Sequence, residues 1–248
     1  MNIKDQFDFG NALPIINEDT EFFPLMTQQD EDEMDKEETP ESLAILPLRN
    51  TVLFPGVVIP ITVGRDKSIK LIKDAYKGNR IIGVASQRDV SIEDPTFDDL
   101  NKVGTVAHII KMLQMPDGNI TVIIQGKQRF RLLEPVQSSP YISVTIEKFE
   151  DVKEKPDKEF KSLIDSIREM SSQIIQLSPN IPSEASIALK NIESTSFLVN
   201  FISSNMNADV AEKQKMLEMI GLRERAEMVM DLLTVELQML EIKNQIQS

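Results

Sequence analysis

From Leu43 to about Glu150, apolar and polar positions alternate along the chain, whereas beyond Phe160 apolar residues recur every three or four positions. The first pattern predicts strands. Leu43–Arg49 and Val57–Gly64 are apolar and rich in β-branched residues, separated by Asn50–Gly56. Pro60 lacks a backbone donor, so the second run is expected at a sheet edge or at a bulge. Asp66 is a candidate N-cap for a helix bearing Ile69, Ile72 and Tyr76 and stopping at Gly78; Arg80–Ser86 returns as a strand. Gln87–Lys102 is long for a bare loop and suggests a flap or a short helical turn. Val103–Met115 and Ile120–Glu134 flank Pro116–Asn119, whose centre is Asp-Gly, and together they read as a β-hairpin. Fully extended, each arm of roughly a dozen residues would reach about 40 Å, so the hairpin should bend around a barrel or project from it. Tyr141–Glu150 closes this region. Crossover helices are missing between most of the strands, which favours a small mixed or antiparallel barrel over a doubly wound sheet.

The period changes at the charged, Pro-containing stretch Asp151–Asp157, the best linker in the chain. Phe160, Leu163, Ile164, Ile167, Met170, Ile174 and Leu177 then mark one helix face. A second helix is expected from Ser183 through Phe201, a third from Asn207 or Asp209 to Ile220, and a last one over Leu222–Gln247. That last helix has no Gly or Pro and no terminal cap, as expected of a fragment whose helix continues. The division is therefore 1–42, 43–150 (β-rich), 151–157 (linker) and 158–248 (helical).

Charge changes the picture in one place. The net charge is −13, but residues 1–42 hold thirteen acids against Lys4 and Lys36, leaving only −2 for the rest. Such a tail is expected to stay solvated and disordered, with Phe22, Phe23 and Leu25 as a candidate apolar docking segment. No basic field exists for phosphate backbones, so a nucleic-acid partner is disfavoured. There is no cysteine, no membrane-length apolar run and no secretory leader pattern, which suggests a cytoplasmic protein with no membrane partner.

The block Leu46-Pro47-Leu48-Arg49-Asn50-Thr51-Val52-Leu53-Phe54-Pro55-Gly56, followed by Ile59-Pro60 and Val63-Gly64-Arg65, resembles the opening of the N-terminal regions of bacterial Lon proteases. Val103-Gly104-Thr105-Val106-Ala107, Gln125-Gly126, Arg129-Phe130, Lys213-Gln214, Leu217-Glu218 and Leu222-Arg223-Glu224-Arg225 extend it in order over residues 43 to 248. The resemblance implies an α+β fold: a PUA-like pseudo-β-barrel (LON domain), then an α-helical bundle ending in a long helix. It implies a non-catalytic region of an ATP-dependent serine protease that selects unfolded or damaged proteins. Its other partners would be further subunits of a homo-hexamer. A structural module of the hexamer, or a stand-alone LON-domain adaptor, are the alternatives.

Catalytic chemistry is missing from the chain. The sole Gly-Lys pair, Gly126-Lys127, precedes Gln128 and not the Ser/Thr of a phosphate loop, so no cofactor is expected here. ATP and Mg would belong to a separate ATPase module. No serine matches the family's Ser–Lys peptidase setting; Ser171-Ser172 and Ser203-Ser204 fall in helical stretches. His108 is the one histidine and reads as a half-buried strand residue, not a metal ligand. Arg129 and Arg131 alternate with Phe130 and Leu132, as for one wet and one dry face, or a substrate-facing charge pair. Recognition of unfolded protein calls for exposed, adaptable apolar surface. Two places offer it: Leu53, Phe54 and Val57 on the first loop, and Met112, Leu113 and Met115 at the hairpin tip. The competing reading has these side chains capping the barrel core.

Overall fold

The computed structural model describes residues 26–149, 151–152, 155–179, 181 and 184–247. The chain divides into two compact units. One, the β unit, comprises Asp32–Glu150 with Asp209–Glu218; the other, the helical unit, holds the remainder. The sequence-based division assigns Asp209–Glu218 to the helices, and in that segment the two divisions differ.

The β unit contains β1 (Ser42–Leu48), β2 (Val58–Val63), α2 (Asp66–Lys77), β3 (Ile81–Ser86), β4 (Val103–Gln114), β5 (Ile120–Gln137) and β6 (Ser143–Lys148). Helix α1 (Gln28–Lys36) precedes them. Strand order is β2-β5-β4-β3-β1-β6, and β6 also pairs with the far half of β5, closing a barrel. Among the strand ladders of the described residues, β1–β3 is parallel and the others are antiparallel. Of the mixed or antiparallel barrel expected from the alternation, the mixed form is observed, and β2, with Pro60, is an edge strand bonded among the described strands only to β5.

Two bulges interrupt the β4–β5 ladder, between Thr105 and Ala107 and between Ile109 and Lys111. They let two strands that are too long for a flat sheet bend around the core. That core is a continuous apolar cluster in which Leu46, Ile82, Ile109, Val122 and Ile124 meet Leu71 and Ile72 from α2. A second cluster around Ile45, Phe130 and Val144 fills the other end. Gly83 and Gly104 admit the ring of Phe130, since a Cβ would lie 2.8 Å from its Cζ at Gly83 and 3.1 Å at Gly104; at Gly104 it would also lie 2.3 Å from the Val84 carbonyl oxygen. The Gln87–Lys102 stretch holds one 3₁₀ turn, Phe97–Asp99, closed by a Thr96/Asp99 capping box.

Residues 1–25 lie outside the described residues, including Phe22, Phe23 and Leu25. From residue 26 on, the expected disorder of the acidic extension is corrected. Thr27 and Asp30 form a reciprocal cap, with Thr27 N–H donating to Asp30 Oδ2 at 2.8 Å and Asp30 N–H to Thr27 Oγ1 at 3.2 Å. Met34 is buried, and Gln128 Nε2 donates to the carbonyls of Met34 (2.6 Å) and Glu37 (3.1 Å). One apolar anchor and a buried amide that needs acceptors hold an otherwise polar helix.

Helix α6 (Val210–Glu218) joins the β unit through two long-range bonds. Gln214 Nε2 donates to the Val103 carbonyl at 3.0 Å, and Arg129 Nη1 to the Leu217 carbonyl at 2.6 Å. Arg129 is 2% exposed and stacks with Arg131 on Phe149, the guanidinium carbons 4.4 and 4.5 Å from the ring centre. Arg129 is therefore a packing arginine, while Arg131 stays exposed.

The helical unit is built from α3 (Lys158–Leu177), α4 (Glu184–Lys190), α5 (Thr195–Asn205) and α7 (Leu222–Gln247). Asp157 caps α3 by accepting from Phe160 N–H at 2.7 Å, and Arg223 Nη2 donates to its other oxygen at 2.6 Å. The backbone cap and the guanidinium hold this carboxyl below its ordinary range. The single helix expected from Ser183 to Phe201 is two helices; Ser183 itself lies outside the described residues. The break comes at Ser194, whose hydroxyl caps Phe197 N–H at 3.1 Å. Arg168 takes up the carbonyls of Leu189 (3.2 Å) and Ile192 (2.7 Å) that the break leaves over. Arg225 of α7 is buried against Asn200, and desolvation pulls its guanidinium down to about 10.

Candidate functional site

The two apolar places named from sequence have opposite fates. Leu53, Phe54 and Val57 are 2%, 0% and 5% exposed. They belong to a plug, not to a surface, and the expectation that this loop contacts other proteins is corrected. The plug is a β-turn in which Val57 N–H donates to the Phe54 carbonyl at 3.2 Å, with Gly56 at φ 79°. It is stitched to β5 by Gly56 N–H to Gly126 O (2.8 Å) and Gly126 N–H to Val57 O (2.9 Å). Thr105 Oγ1 donates to the Leu53 carbonyl at 2.7 Å inside the barrel. So close is the approach that a Cβ on Gly126 would stand 2.3 Å from the Phe54 oxygen.

The hairpin tip is exposed. Leu113 and Met115 are 41% and 42% exposed, while Met112 is half-buried against the barrel cluster. The register Met112↔Val122, Leu113↔Thr121 and Gln114↔Ile120 carries the ladder to the last residues before the turn. The turn is closed by Met115 N–H to Asn119 O at 2.9 Å and Gly118 N–H to Met115 O at 3.1 Å. Asp117 accepts from Asn119 N–H and from Asn119 Nδ2, both at 3.0 Å, and Gly118 sits at φ 87°. A firm turn therefore presents two flexible apolar side chains to solvent. That arrangement suits weak, sequence-tolerant contacts, because Met and Leu adapt to varied partners while the backbone loses little freedom on binding.

His108 lies in β4 opposite Ile81 and Gln125, half-buried. Burial lowers its proton affinity, as do the charges of Lys127 and Arg80, with Glu37 opposing them. It has no cluster to act in: among the described residues no group of three or more His, Asp or Glu side chains is placed to hold a metal ion. Nor is any helix among them long and apolar enough to cross a membrane. A feature missed from sequence is a cleft of about 480 Å³ in the β unit, lined by Arg49 and Arg65 together with Thr51 and Thr62. Its trace in the sequence is slight: two arginines that each close an apolar run, a pattern shared by ordinary strand ends.

A family model for the substrate-binding domain of the ATP-dependent protease La (LON) matches residues 42–235. The chain is 56% identical over 238 residues to a Lon protease of Flavobacterium johnsoniae and 50% identical over 232 residues to one of Cytophaga hutchinsonii. These matches cover 96% and 92% of this chain but 29% and 28% of the relatives, so it spans under a third of their length. Among solved structures, the N-terminal domain of Mycobacterium avium complex Lon protease matches with a TM-score of 0.63 at 20% identity, covering 78% of this chain and 98% of that one. A Lon N-terminal domain protein from Xanthomonas campestris matches with a TM-score of 0.56 at 17% identity, over 77% and 97%.

Proposed function

The chain belongs to the LON substrate-binding domain family, and we propose that it works by holding apolar segments of unfolded or damaged proteins at the β4–β5 hairpin tip. The chain itself carries no phosphate loop and no Ser–Lys peptidase motif, so its contribution is binding. In the longer protein the captured segment would pass to an ATP-driven protease, in the cytoplasm and within a homo-hexamer. The observation that carries this reading is the exposure of Leu113 and Met115 on a turn fixed by Asp117 and Asn119.

Magnitudes suit a weak, multivalent contact. Two apolar side chains at about 1.5–3 kcal/mol each do little more than offset the entropy of association. A single copy should therefore bind weakly, and six copies acting together would raise the effective concentration. The test is titration of the chain with an unfolded protein and with its folded form, for wild type and Leu113→Ser/Met115→Ser. Selective binding of the unfolded form that the double variant loses, at unchanged thermal stability, is the expected result. Unfolded and folded forms binding alike, or a double variant that binds as well as wild type, would remove the tip from the mechanism.

One observation favours a second, structural role. On α7, Val235, Met239, Ile242 and Ile246 are all exposed at alternating four- and three-residue spacing, the pattern of a coiled-coil seam. A role in setting hexamer geometry predicts that the chain self-associates and that Met239→Glu/Ile242→Glu abolishes this in sedimentation experiments.

A further inference from the structure

The cleft in the β unit combines three features that the binding of apolar segments does not use. First, β2 is hydrogen-bonded to β5 along one edge, and among the described residues no strand pairs with its other edge. Second, residues from the end of β1 and from Pro60 to Val63 of β2 line the cleft together. Third, two guanidinium side chains, Arg49 and Arg65, line it as well, beside the hydroxyls of Thr51 and Ser68.

Among the described residues, the arginines are not matched by carboxylates of their own. Arg49 Nη2 donates to the Ile92 carbonyl at 3.4 Å, and Arg65 Nη2 to Gln87 Oε1. Gln87 is in turn held by its amide nitrogen donating to the carbonyls of Asp89 (3.1 Å) and Ile92 (2.9 Å), so the Arg65 fork is fixed in place. Its second terminal nitrogen, Nη1, is buried with no acceptor among the described residues. The nearby carboxylate of Asp94 is engaged with Lys67 at 3.1 Å. Burial and repulsion by Arg49 both lower the proton affinity of Arg65, and Asp94 only partly compensates. Arg65, not Asp66 as the sequence suggested, occupies the N-cap position of the twelve-residue α2; Asp66 falls in the first turn, where its carboxylate offsets the positive potential of the helix's free amides.

We infer that this cleft is an oxyanion site for the carboxylate of an acidic residue in an extended peptide lying along the free edge of β2. Guanidinium forks match carboxylates bidentately, and Arg49, exposed on the same cleft, presents one to it. The open strand edge supplies main-chain pairing for the rest of the segment, although Pro60 offers no donor of its own. A volume of about 480 Å³ is in the range of clefts that take a side chain with its flanking backbone. The rim is continuous with the hairpin turn, since Gly64 lies against the side chain of Asn119, 3.0 Å from where its Cβ would be. An acidic segment seated here would therefore pass close to the tip without needing it.

The experiment uses the whole 248-residue chain and three probes: a labelled, end-capped hexapeptide alternating Thr and Glu, its Thr/Gln counterpart, and inorganic phosphate. The Glu peptide should bind, the Gln peptide should bind at least about ten-fold more weakly, and added salt should weaken only the former. Phosphate should compete for the same site. Arg49→Glu is the decisive variant. Arg49 is exposed, and reversing its charge removes the repulsion on Arg65, so the unfolding midpoint should hold or rise while Glu-peptide binding falls at least about ten-fold. Arg65→Gln should lose binding too, but it also releases Gln87 and is read only beside Arg49→Glu. Equal binding of the two peptides, full binding by Arg49→Glu, or binding of phosphate with none of the Glu peptide would each overturn the inference. Leu113→Ser/Met115→Ser should keep Glu-peptide binding, which separates failure of this site from failure of the hairpin tip.

Discussion

Phe54→Ala separates a plug from a patch. The ring is fully buried, its turn is tied to β5 by two hydrogen bonds to Gly126, and Leu53 beside it belongs to the barrel cluster. Truncating a buried Phe removes its transfer free energy and leaves a cavity, about 3–5 kcal/mol in all. Relief by collapse should be small here, because Gly126 already brings the two backbones to their closest approach. With a urea dependence of about 1–3 kcal/mol per molar, the midpoint should drop by roughly 2 M. The chain has two tyrosines and no tryptophan, and Tyr76 and Tyr141 both lie in the β unit, so tyrosine fluorescence follows that unit. Far-UV circular dichroism weighs the helices more. The fluorescence midpoint should fall, and in the absence of urea the remaining folded molecules should bind an unfolded protein as wild type does. A loss below about 1 kcal/mol, with weakened binding in a folded variant, would refute the burial argument.

Two further predictions use the same unfolding assay. Gly126→Ala puts a Cβ 2.3 Å from the backbone oxygen of Phe54, whereas at Gly118 nothing lies within 4 Å and only the φ of 87° resists substitution. Gly118→Ala should therefore cost about 1–2 kcal/mol and Gly126→Ala clearly more, the reverse of what positive φ alone would suggest. Equal costs would mean that the turn moves freely. For His108, burial and the neighbouring Lys127 and Arg80 charges lower the folded-state pKa below the ordinary 6.5. As pH falls below that value the unfolded chain takes up the proton first, so this group's contribution decreases stability, and above it the contribution is flat. His108→Gln should reduce the drop in urea midpoint between neutral and mildly acid pH. An unchanged drop would assign it to other groups.

Much of the β unit was legible because its signals are local. Alternation marks the strands, Pro60 marks an edge, and Asp117-Gly118 marks the turn between β4 and β5. The capping pair Thr27 and Asp30 was equally local, but it sits in a run whose charge reads as disorder. What escaped depends on distant partners. An apolar turn such as Leu53–Val57 looks the same in sequence whether it faces water or the core. The deciding residue is Gly126, which lies far along the chain and admits the turn. Likewise α6 reads as one more amphipathic helix until Gln214 finds Val103 and Arg129 finds the Leu217 carbonyl, 111 and 88 residues away. At the site, exposure of Leu113 and Met115 followed from their place beside a turn, while the Arg49/Arg65 cleft needed the ends of β1 and β2 in three dimensions.

The placement of α6 bears on how such a protein can be cut. A gene segment ending at residue 150 looks like a self-contained barrel, yet it would leave out Leu217, the acceptor for a guanidinium sealed beneath the surface. The stub would expose the faces that Gln214, Met216 and Leu217 cover. A better minimal fragment would graft Asp209–Glu218 back through a short Gly/Ser tether, making one continuous polypeptide of what the natural chain assembles from two separate stretches.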